Sequence, residues 1–289
     1  MNKLAVPLDS VPALNEAEFS CFRRFIYEEA GISLAANKRE LVQSRLIKRL
    51  QVLKFGSFGV YWRYLQQPGN SAERQRAINL LSTNETYFFR EPEHFVWLQN
   101  HVSELSQRGC APIRIWSAAC STGEEPYNIA MILAESLGLS SNWKILGTDI
   151  NTHVLAFARR AIYSHARVNK TPPLLWRRYF QQGKDEYAEK VRVRPELTKK
   201  VQLGQLNLLQ CADLRDGDFD VVFLRNVLIY FDDKTKADIL AQLCRKIKVG
   251  GYLLIGHSEV IRFPDLPLLM EGPSRYRYAP QIPTQKTDK

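Results

Sequence analysis

The first eighty residues carry the spacing of amphipathic helices. From Asn15 to Gly31, apolar side chains recur on one helical face, and Asn15 with Glu18 has the form of a capping box that starts a helix. Further helices are predicted at about residues 38–50, 58–66 and 72–81. The pattern predicts a small all-helical domain, which together with its linker we place at residues 1–82.

After Arg90 the pattern changes to short apolar runs that alternate with helical segments. The apolar runs lie at residues 113–116, 144–148, 219–224 and 252–255. This alternation is typical of a parallel sheet with helices on both faces. The segment Arg275–Tyr278 alternates in polarity and predicts an edge strand that closes the sheet. We therefore predict an α/β domain over residues 83–289.

This alternation is interrupted between His165 and Val201. The stretch contains Pro172-Pro173, a polar run at 181–189 and an alternating segment at 190–194. An alternating segment beside turn-forming residues is typical of a β-hairpin. We therefore predict a small β-subdomain inserted at about residues 166–203.

The charge of the chain is unevenly distributed. Forty Lys and Arg against 30 Asp and Glu give a net charge of +10, and residues 1–80 hold 12 against 7. On the predicted second helix, Lys38, Arg45 and Arg49 fall in one narrow stripe, which predicts a basic ridge. An acidic partner is indicated, and nucleic acid, anionic lipid and acidic protein all qualify.

The five cysteines are scattered and never spaced as C-x-x-C, so neither a disulfide framework nor a zinc site is indicated, and we predict no metal. No segment approaches the roughly 18 apolar residues that span a bilayer, and the first residues lack the apolar stretch of a signal peptide. We therefore expect a cytoplasmic protein without membrane insertion.

The turn after the first predicted strand is a run of small residues, SAACSTGEEPY at 117–127, that opens into a helix. Small side chains let a ligand approach the backbone closely. A pyrophosphate would bind the free backbone N–H groups at the start of this helix, but two carboxylates, Glu124 and Glu125, lie there. An ammonium or sulfonium ligand therefore fits better. The alternative is that the two carboxylates only stabilise the start of the helix.

Three further candidates follow strand-like segments. Asp149 ends the second strand, where an acidic residue can accept hydrogen bonds from ribose hydroxyls, although it could instead cap the next helix. Asn207 and Leu208 could cover an adenine ring. Arg225 and Asn226 lie at the carboxyl end of the next strand, the edge at which open α/β sheets bind ligands.

A polar and aromatic segment lies between the two predicted domains. Residues 82–91 interleave Asn84, Thr86 and Arg90 with aromatic side chains. This mixture is typical of a lid over a pocket. Alternatively, the segment is an amphipathic linker, and Phe88 and Phe89 are expected to pack on the core in either case.

Six stretches occur in the order in which they appear in one family. The chain resembles the chemotaxis receptor glutamate O-methyltransferases, called CheR, through TNETYFFRE (83–91), SAACSTGEEPYNIA (117–130), GTDI (147–150), NLL (207–209), RNVLIYF (225–231) and GHSE (256–259). The resemblance implies a helical domain followed by a Rossmann-like S-adenosylmethionine-dependent methyltransferase domain with a small β-insertion. It also implies transfer of a methyl group to receptor glutamates, with S-adenosylhomocysteine as product.

The family also implies roles for individual residues. Arg90 and Tyr230 would lie near the transferred methyl group, and the cofactor contacts would be Asn84, Thr86, Arg90, Glu125, Asp149, Asn207, Leu208, Arg225 and Asn226. The ridge of Lys38, Arg45 and Arg49 would dock on the acidic helical bundle of a chemoreceptor, and the insertion, with Arg192 and Arg194, could hold a receptor tail.

We expect a monomer that acts at membrane receptor arrays and binds no nucleic acid. Two alternatives remain at this point. One is a nucleic-acid methyltransferase that uses the basic domain as a grip, against which the absence of an Asn-Pro-Pro-Tyr type motif argues. The other is a non-catalytic adaptor.

Overall fold

The computed structural model describes residues 13–107 and 112–280. The outer ends of both predicted domains, at residues 1–12 and 281–289, therefore lie outside the described residues. Within them, four helices form the first domain: α1 Glu16–Ala30, α2 Arg39–Leu53, α3 Phe58–Gln66 and α4 Ser71–Leu81. The capping box of α1 is confirmed, since Glu18 N donates to Asn15 Oδ1 at 2.9 Å and Asn15 N donates to Glu18 Oε2 at 3.2 Å.

The core of the helical domain is rich in aromatic rings. Phe22 of α1 stacks on Tyr61 of α3 at 6.1 Å and meets Phe58 edge-on at 6.3 Å. All three rings are fully buried, and Leu46 of α2 and Ala77 of α4 close the same core. The periodic apolar positions of the sequence therefore face one another across the bundle.

The second domain contains a seven-stranded sheet in the order β6-β2-β1-β7-β8-β10-β9. Its strands are β1 Ile113–Ala118, β2 Trp143–Asp149, β6 Val201–Gln205, β7 Phe219–Leu224, β8 Ile247–Ile255, β9 Leu268–Gly272 and β10 Arg275–Tyr278. The first five in spatial order pair in parallel, and β10 pairs antiparallel with both β8 and β9.

The prediction of Arg275–Tyr278 as an edge strand was wrong. Strand β10 lies inside the sheet, and β9 forms the edge. The segment of β9 is half exposed and follows two prolines, Pro264 and Pro267, so its sequence lacks the alternation that marks a half-buried strand.

Helices cover both faces of this sheet. Ile115, Val221 and Phe223 face the core that contains α5 Glu93–Gln107 and α6 Glu124–Leu137. Trp116 and Leu224, which point to the opposite face, pack in the core beneath α11 Asp233–Cys244. Helix α7 Thr152–Arg160 contacts β2 and β6. The predicted α/β fold behind a helical domain is confirmed.

The interruption of the βαβ pattern forms a separate three-stranded antiparallel sheet in the order β3-β5-β4. It comprises β3 Ile162–Ser164, β4 Phe180–Gln182 and β5 Lys190–Val193, with short helices α8 His165–Val168, α9 Pro173–Tyr179 and α10 Pro195–Thr198. The predicted limits of 166–203 were displaced: β3 begins at Ile162, and Val201 already pairs in the main sheet. Strand β3 has only three residues and follows α7 without a turn signal, so the sequence did not mark its start.

In the described part of the chain, no helix combines the length and apolar character that a membrane crossing requires.

Candidate active site

A cavity opens at the carboxyl ends of β1, β2, β6 and β7. Its walls come from the sheet, from the segment that links the two domains, and from Ala30 and Ile32 of the helical domain. The cavity brings together every residue predicted for cofactor contact or catalysis: Asn84, Thr86, Arg90, Glu125, Asp149, Asn207, Leu208, Arg225, Asn226 and Tyr230.

The turn after β1 has an unusual backbone. Ala119 and Ser121 adopt φ values of 67° and 48°, in the left-handed region that L-residues rarely enter. Gly123 follows with a φ of 93°, and a Cβ there would lie 2.8 Å from Ala158 Cβ. This winding brings the N–H of Ser121 to Asp149 and places the small residues Ala119, Cys120 and Ser121 along the cavity wall.

Asp149 presents a carboxylate to the cavity from the end of β2. Its Oδ2 accepts from Ser121 N and its Oδ1 from Asn151 N, each at 2.8 Å. Burial raises the pKa of Asp149, and the backbone N–H groups oppose that rise. The alternative of Asp149 as a helix cap is excluded, because Asn151 caps α7. A carboxylate oxygen can accept a second hydrogen bond, so each can still take a ligand hydroxyl.

The two carboxylates at the start of α6 have different surroundings. Glu125 faces the cavity, where its Oε1 accepts from Ser117 Oγ at 2.6 Å and its Oε2 from Arg225 Nη1 at 2.9 Å. Glu124 is fully buried and forms an ion pair with Arg167 at 3.0 Å. Only Glu125 can therefore meet a ligand, a distinction that the residue pattern alone did not make.

Arg225 is buried between two acids. Its Nη2 donates to Glu91 Oε2 at 3.0 Å while Nη1 holds Glu125, and 3% of its side chain is exposed. Glu91 Oε1 accepts from Asn226 Nδ2 at 3.0 Å. Burial opposes the charge of Glu91, but the bonds from Asn226 and Arg225 hold its pKa below the ordinary value. The sequence reasoning missed Glu91, although a predicted buried arginine requires an acidic partner.

Glu259 was also missed, although it ends the GHSE stretch. Its Oε2 accepts from Asn226 N at 2.8 Å and from Gly256 N at 2.6 Å, which holds Asn226 at a φ of 56°. Burial raises the pKa of Glu259 against these bonds. A Cβ at Gly256 would lie 2.4 Å from Asn226 Nδ2, so the close approach requires glycine.

The linker between the domains forms one rim of the cavity. Ser121 Oγ donates to Asn84 O at 3.0 Å, and Arg90 Nη1 donates to Glu85 O at 3.0 Å. Phe88 and Phe89 are buried in the core, as expected for a lid and for an amphipathic linker alike.

The wall formed by residues 206–208 is largely apolar and joins the two domains. Asn207 Nδ2 donates to Glu29 O at 2.7 Å, and its Oδ1 accepts from Leu209 N at 3.1 Å. The amide of Asn207 is therefore committed to these two partners. Ile150, Leu206 and Leu208 complete a surface on which a flat ring could lie.

The predicted basic ridge on α2 requires a correction. Lys38 lies in the 3₁₀ turn before α2 and is exposed. Arg45 Nη1 donates to Leu81 O at 2.6 Å, and Arg49 Nε donates to Glu73 Oε1 at 2.6 Å. Arg49 is therefore neutralised within its own domain, because sequence periodicity does not show which charges find a partner.

One cluster of possible metal ligands lies behind the cavity. Ligand atoms of Glu91, His94 and His257 lie within 4.8 Å of one another. Both carboxylate oxygens of Glu91 already hold Arg225 and Asn226, and the guanidinium beside it would repel a cation. We interpret the cluster as part of the Arg225 network.

Comparison with known proteins gives consistent similarities over both domains. A family model described as "CheR methyltransferase, all-alpha domain" matches residues 17–82, and one described as "CheR methyltransferase, SAM binding domain" matches residues 84–273. The "Chemotaxis protein methyltransferase" of Escherichia coli (strain K12) is 42% identical over 265 residues, which cover 91% of each chain.

Two further relatives are similar. The protein of the same name from Salmonella typhimurium is 44% identical over 248 residues, covering 86% of this chain and 85% of the relative. The "Chemotaxis protein methyltransferase 2" of Pseudomonas aeruginosa is 43% identical over 244 residues, covering 84% and 86%.

Proposed function

This chain belongs to the CheR methyltransferase family, and from this premise we propose that the cavity described above is where S-adenosylmethionine and a receptor glutamate meet. The enzyme is an S-adenosylmethionine-dependent protein-glutamate O-methyltransferase of chemotaxis. Its products are a glutamate methyl ester and S-adenosylhomocysteine.

A single observation carries the assignment of the site: Glu125, Asp149 and Arg225, from three separate elements, line one cavity. The lining groups fit the cofactor in kind. Asp149 can accept hydrogen bonds from a ribose diol, and Glu125 can attract an ammonium group. Ile150 and Leu208 offer an apolar surface to an adenine ring.

Arg225 is proposed to act through its acidic partners. It joins Glu91 and Glu125, so it fixes the carboxylate of Glu125 toward the cavity and limits the negative charge there. Asn226, held by Glu259 and Glu91, closes the same side. Asn84 and Thr86 would close the rim over the cofactor.

The reaction requires alignment of the two reactants more than it requires proton transfer. When bound, S-adenosylmethionine supplies an electrophilic methyl group on a sulfonium. A glutamate carboxylate with a pKa near 4.3 is already ionised at neutral pH, so no general base is required. Alignment of two reactants contributes roughly 7–11 kcal/mol in favourable cases. We assign that alignment to Arg90 and Tyr230, which would orient the substrate carboxylate by hydrogen bonds.

The partner is proposed to be the acidic helical cytoplasmic bundle of a transmembrane chemoreceptor. Lys38 is exposed, and Arg45 has neutral oxygen partners, so both can attract carboxylates on that bundle. Arg192 and Arg194 are exposed on the inserted subdomain and offer a second surface for a receptor tail. The enzyme would work in the cytoplasm as a monomer, recruited to receptor arrays.

The decisive experiment is an assay of ester formation. Purified enzyme incubated with methyl-labelled S-adenosylmethionine and receptor-bearing membranes should transfer label that mild base releases, because esters are base-labile and methylated amines are not. Asp149→Asn should raise the Kd for the cofactor roughly 10- to 150-fold in calorimetry, since a hydrogen bond to a charged group contributes roughly 1.5–3 kcal/mol.

Asp213→Asn is a matched control, because Asp213 is exposed and does not line the cavity. Base-stable label would contradict the proposed ester. Equal cofactor affinity of Asp149→Asn and the wild type would contradict the assigned pocket.

A further inference from the structure

The inserted subdomain reaches back to the mouth of the cavity through Lys170. This residue lies between α8 and α9, within a turn closed by Thr171 N donating to Val168 O at 2.9 Å. Its ammonium lies 3.9 Å from the centroid of the Tyr87 ring, and Tyr87 lines the cavity. Lys170 itself is exposed. The insertion therefore places a cation at the outer rim of the site.

The same ring carries a second cation. The guanidinium carbon of Arg90 lies 5.9 Å from the Tyr87 centroid. An aromatic face holds a cation through its quadrupole and leaves the net charge intact. Among residues 13–107 and 112–280, neither Lys170 nor Arg90 has a carboxylate within ion-pairing distance. Both positive charges are therefore available to a substrate.

A third cation approaches from the helical domain. Arg45 Nη2 donates to Thr83 Oγ1 at 3.0 Å, and Thr83 lines the cavity. Burial lowers the pKa of Arg45, and the phenol of Tyr230 is close enough to oppose that shift. The helical domain, the linker and the insertion thus each contribute one cation near the mouth of the cavity. These cations, Arg45, Arg90 and Lys170 in that order, form a basic rim.

We propose that Lys170 is a substrate-positioning residue that binds a carboxylate flanking the target glutamate on an acidic helix. This inference rests on the proposed function. On a helix, residues three or four apart have Cβ atoms about 5–6 Å apart, so a neighbouring acid can contact the rim while the target enters the cavity. Because Lys170 is exposed outside the cavity, we assign it to the neighbouring acid and not to the target glutamate. Arg90, in contrast, lines the cavity.

The test compares Lys170→Ala, Lys170→Arg and the wild type on a receptor cytoplasmic fragment. Loss of one exposed ion pair should raise KM for the fragment about three- to fivefold, with kcat and the calorimetric Kd for S-adenosylmethionine unchanged. Lys170→Arg should restore KM. Lys144→Ala is the matched control, because Lys144 is an exposed lysine near the opposite end of β2 and should leave KM unchanged.

A second arm identifies the contacted carboxylate. Acidic residues three or four positions from the methylated glutamate are replaced by glutamine, one at a time. One replacement should raise KM for the wild type and have no further effect with Lys170→Ala. Additive effects at every position would overturn the inference, as would an unchanged KM or a weakened cofactor affinity for Lys170→Ala.

The role of Lys170 and the proposed function can be tested separately. If the wild-type enzyme forms no base-labile ester on the fragment, the proposed function is wrong. If the wild type is active and Lys170→Ala has the same KM as Lys144→Ala, only the role of Lys170 is wrong.

Discussion

Arg90 is held by neutral partners, the carbonyl oxygen of Glu85 and the ring of Tyr87, so its positive charge remains available at the rim of the cavity. This arrangement suits a residue that positions a carboxylate without binding it permanently. An arginine neutralised by an acid, such as Arg49, could not act in this way.

Arg90→Ala is expected to lower kcat about 100-fold, because misplacement of a reacting group by about 1 Å has an effect of that size. The unfolding free energy should change by no more than about 0.5 kcal/mol, since Arg90 forms no ion pair within the described residues. Initial rates and urea unfolding measure the two quantities. Arg160→Ala is a matched control, because Arg160 packs over the Phe157 ring at 5.5 Å away from the cavity lining. Wild-type turnover by Arg90→Ala would contradict the assigned role.

His94 predicts a pH dependence of stability. Burial, assisted by the charge of Arg225, lowers its pKa to about 3. A histidine in the unfolded chain titrates near 6.5, so between these values the unfolded state binds more protons than the folded state. The contribution of His94 to stability is therefore fully present above about pH 6.5 and is lost as pH falls toward 3.

His94→Phe should remove this slope, which reaches at most about 1.4 kcal/mol per pH unit for one proton. Urea unfolding of both proteins between about pH 4 and pH 7 measures the difference in slope. The exposed His153 serves as control, and His153→Phe should retain the wild-type slope. Parallel curves for His94→Phe and the wild type would contradict the prediction.

Single residues could be predicted where their role is set by local chain geometry. Asp149 ends a strand and Glu125 lies in the first turn of a helix, and such positions lie at the ligand edge of an α/β sheet by topology. The partner of Arg225 could not be predicted, because Glu91 lies 134 residues away and only the fold brings the two together. For the same reason, the ridge prediction included Arg49, whose acidic partner lies on a different helix.

At the scale of elements, α2 carries charges with two different roles. Arg49 and Glu73 form a largely buried pair, with 17% and 8% of their side chains exposed. Burial opposes the charge of Glu73, and hydrogen bonds from Arg49 and Tyr61 hold its pKa below the ordinary value. Lys38, just before the helix, is exposed.

Two substitutions in this region should therefore have separable effects. Arg49→Ala should lower the unfolding free energy by on the order of 3 kcal/mol, because it leaves Glu73 buried without its cation. Lys38→Glu should leave stability within about 0.5 kcal/mol and raise KM for the receptor fragment, less so at high salt. Arg39→Ala is the control for stability, since its pair with Glu16 is long at 3.6 Å and exposed. A destabilised Lys38→Glu, or a stable Arg49→Ala, would contradict this division.

The elements differed in how well the sequence predicted them. Helix α1 has its capping box and αL glycine within the segment itself, so its ends were evident. Strand β9 has neither alternation nor a buried face, and the reversal of β9 and β10 in the sheet depends on pairing between distant residues. Short strands such as β3 are defined by their pairing with a neighbouring strand, which the local sequence does not show.

At the scale of the whole molecule, polar contacts join the two domains around the cavity. Asn79 Nδ2 donates to Thr152 Oγ1 at 2.8 Å, and Asn151 Nδ2 donates to Asn79 O at 3.0 Å. On the other side, Tyr27 Oη donates to Asp232 Oδ2 at 2.9 Å. The division into a helical and an α/β domain was readable from hydrophobic periodicity. These joints between the domains were not, because they connect residues 72 to 205 positions apart.

Ala30 and Ile32 belong to the helical domain and yet form part of the wall of the cavity. The α/β domain therefore does not form the complete cavity by itself. Grafted alone into another polypeptide, it would leave one flank of its ligand open to water. Exchange of domains between relatives, whether by evolution or by engineering, would have to preserve the contacts between the two domains as well as the residues of the active site.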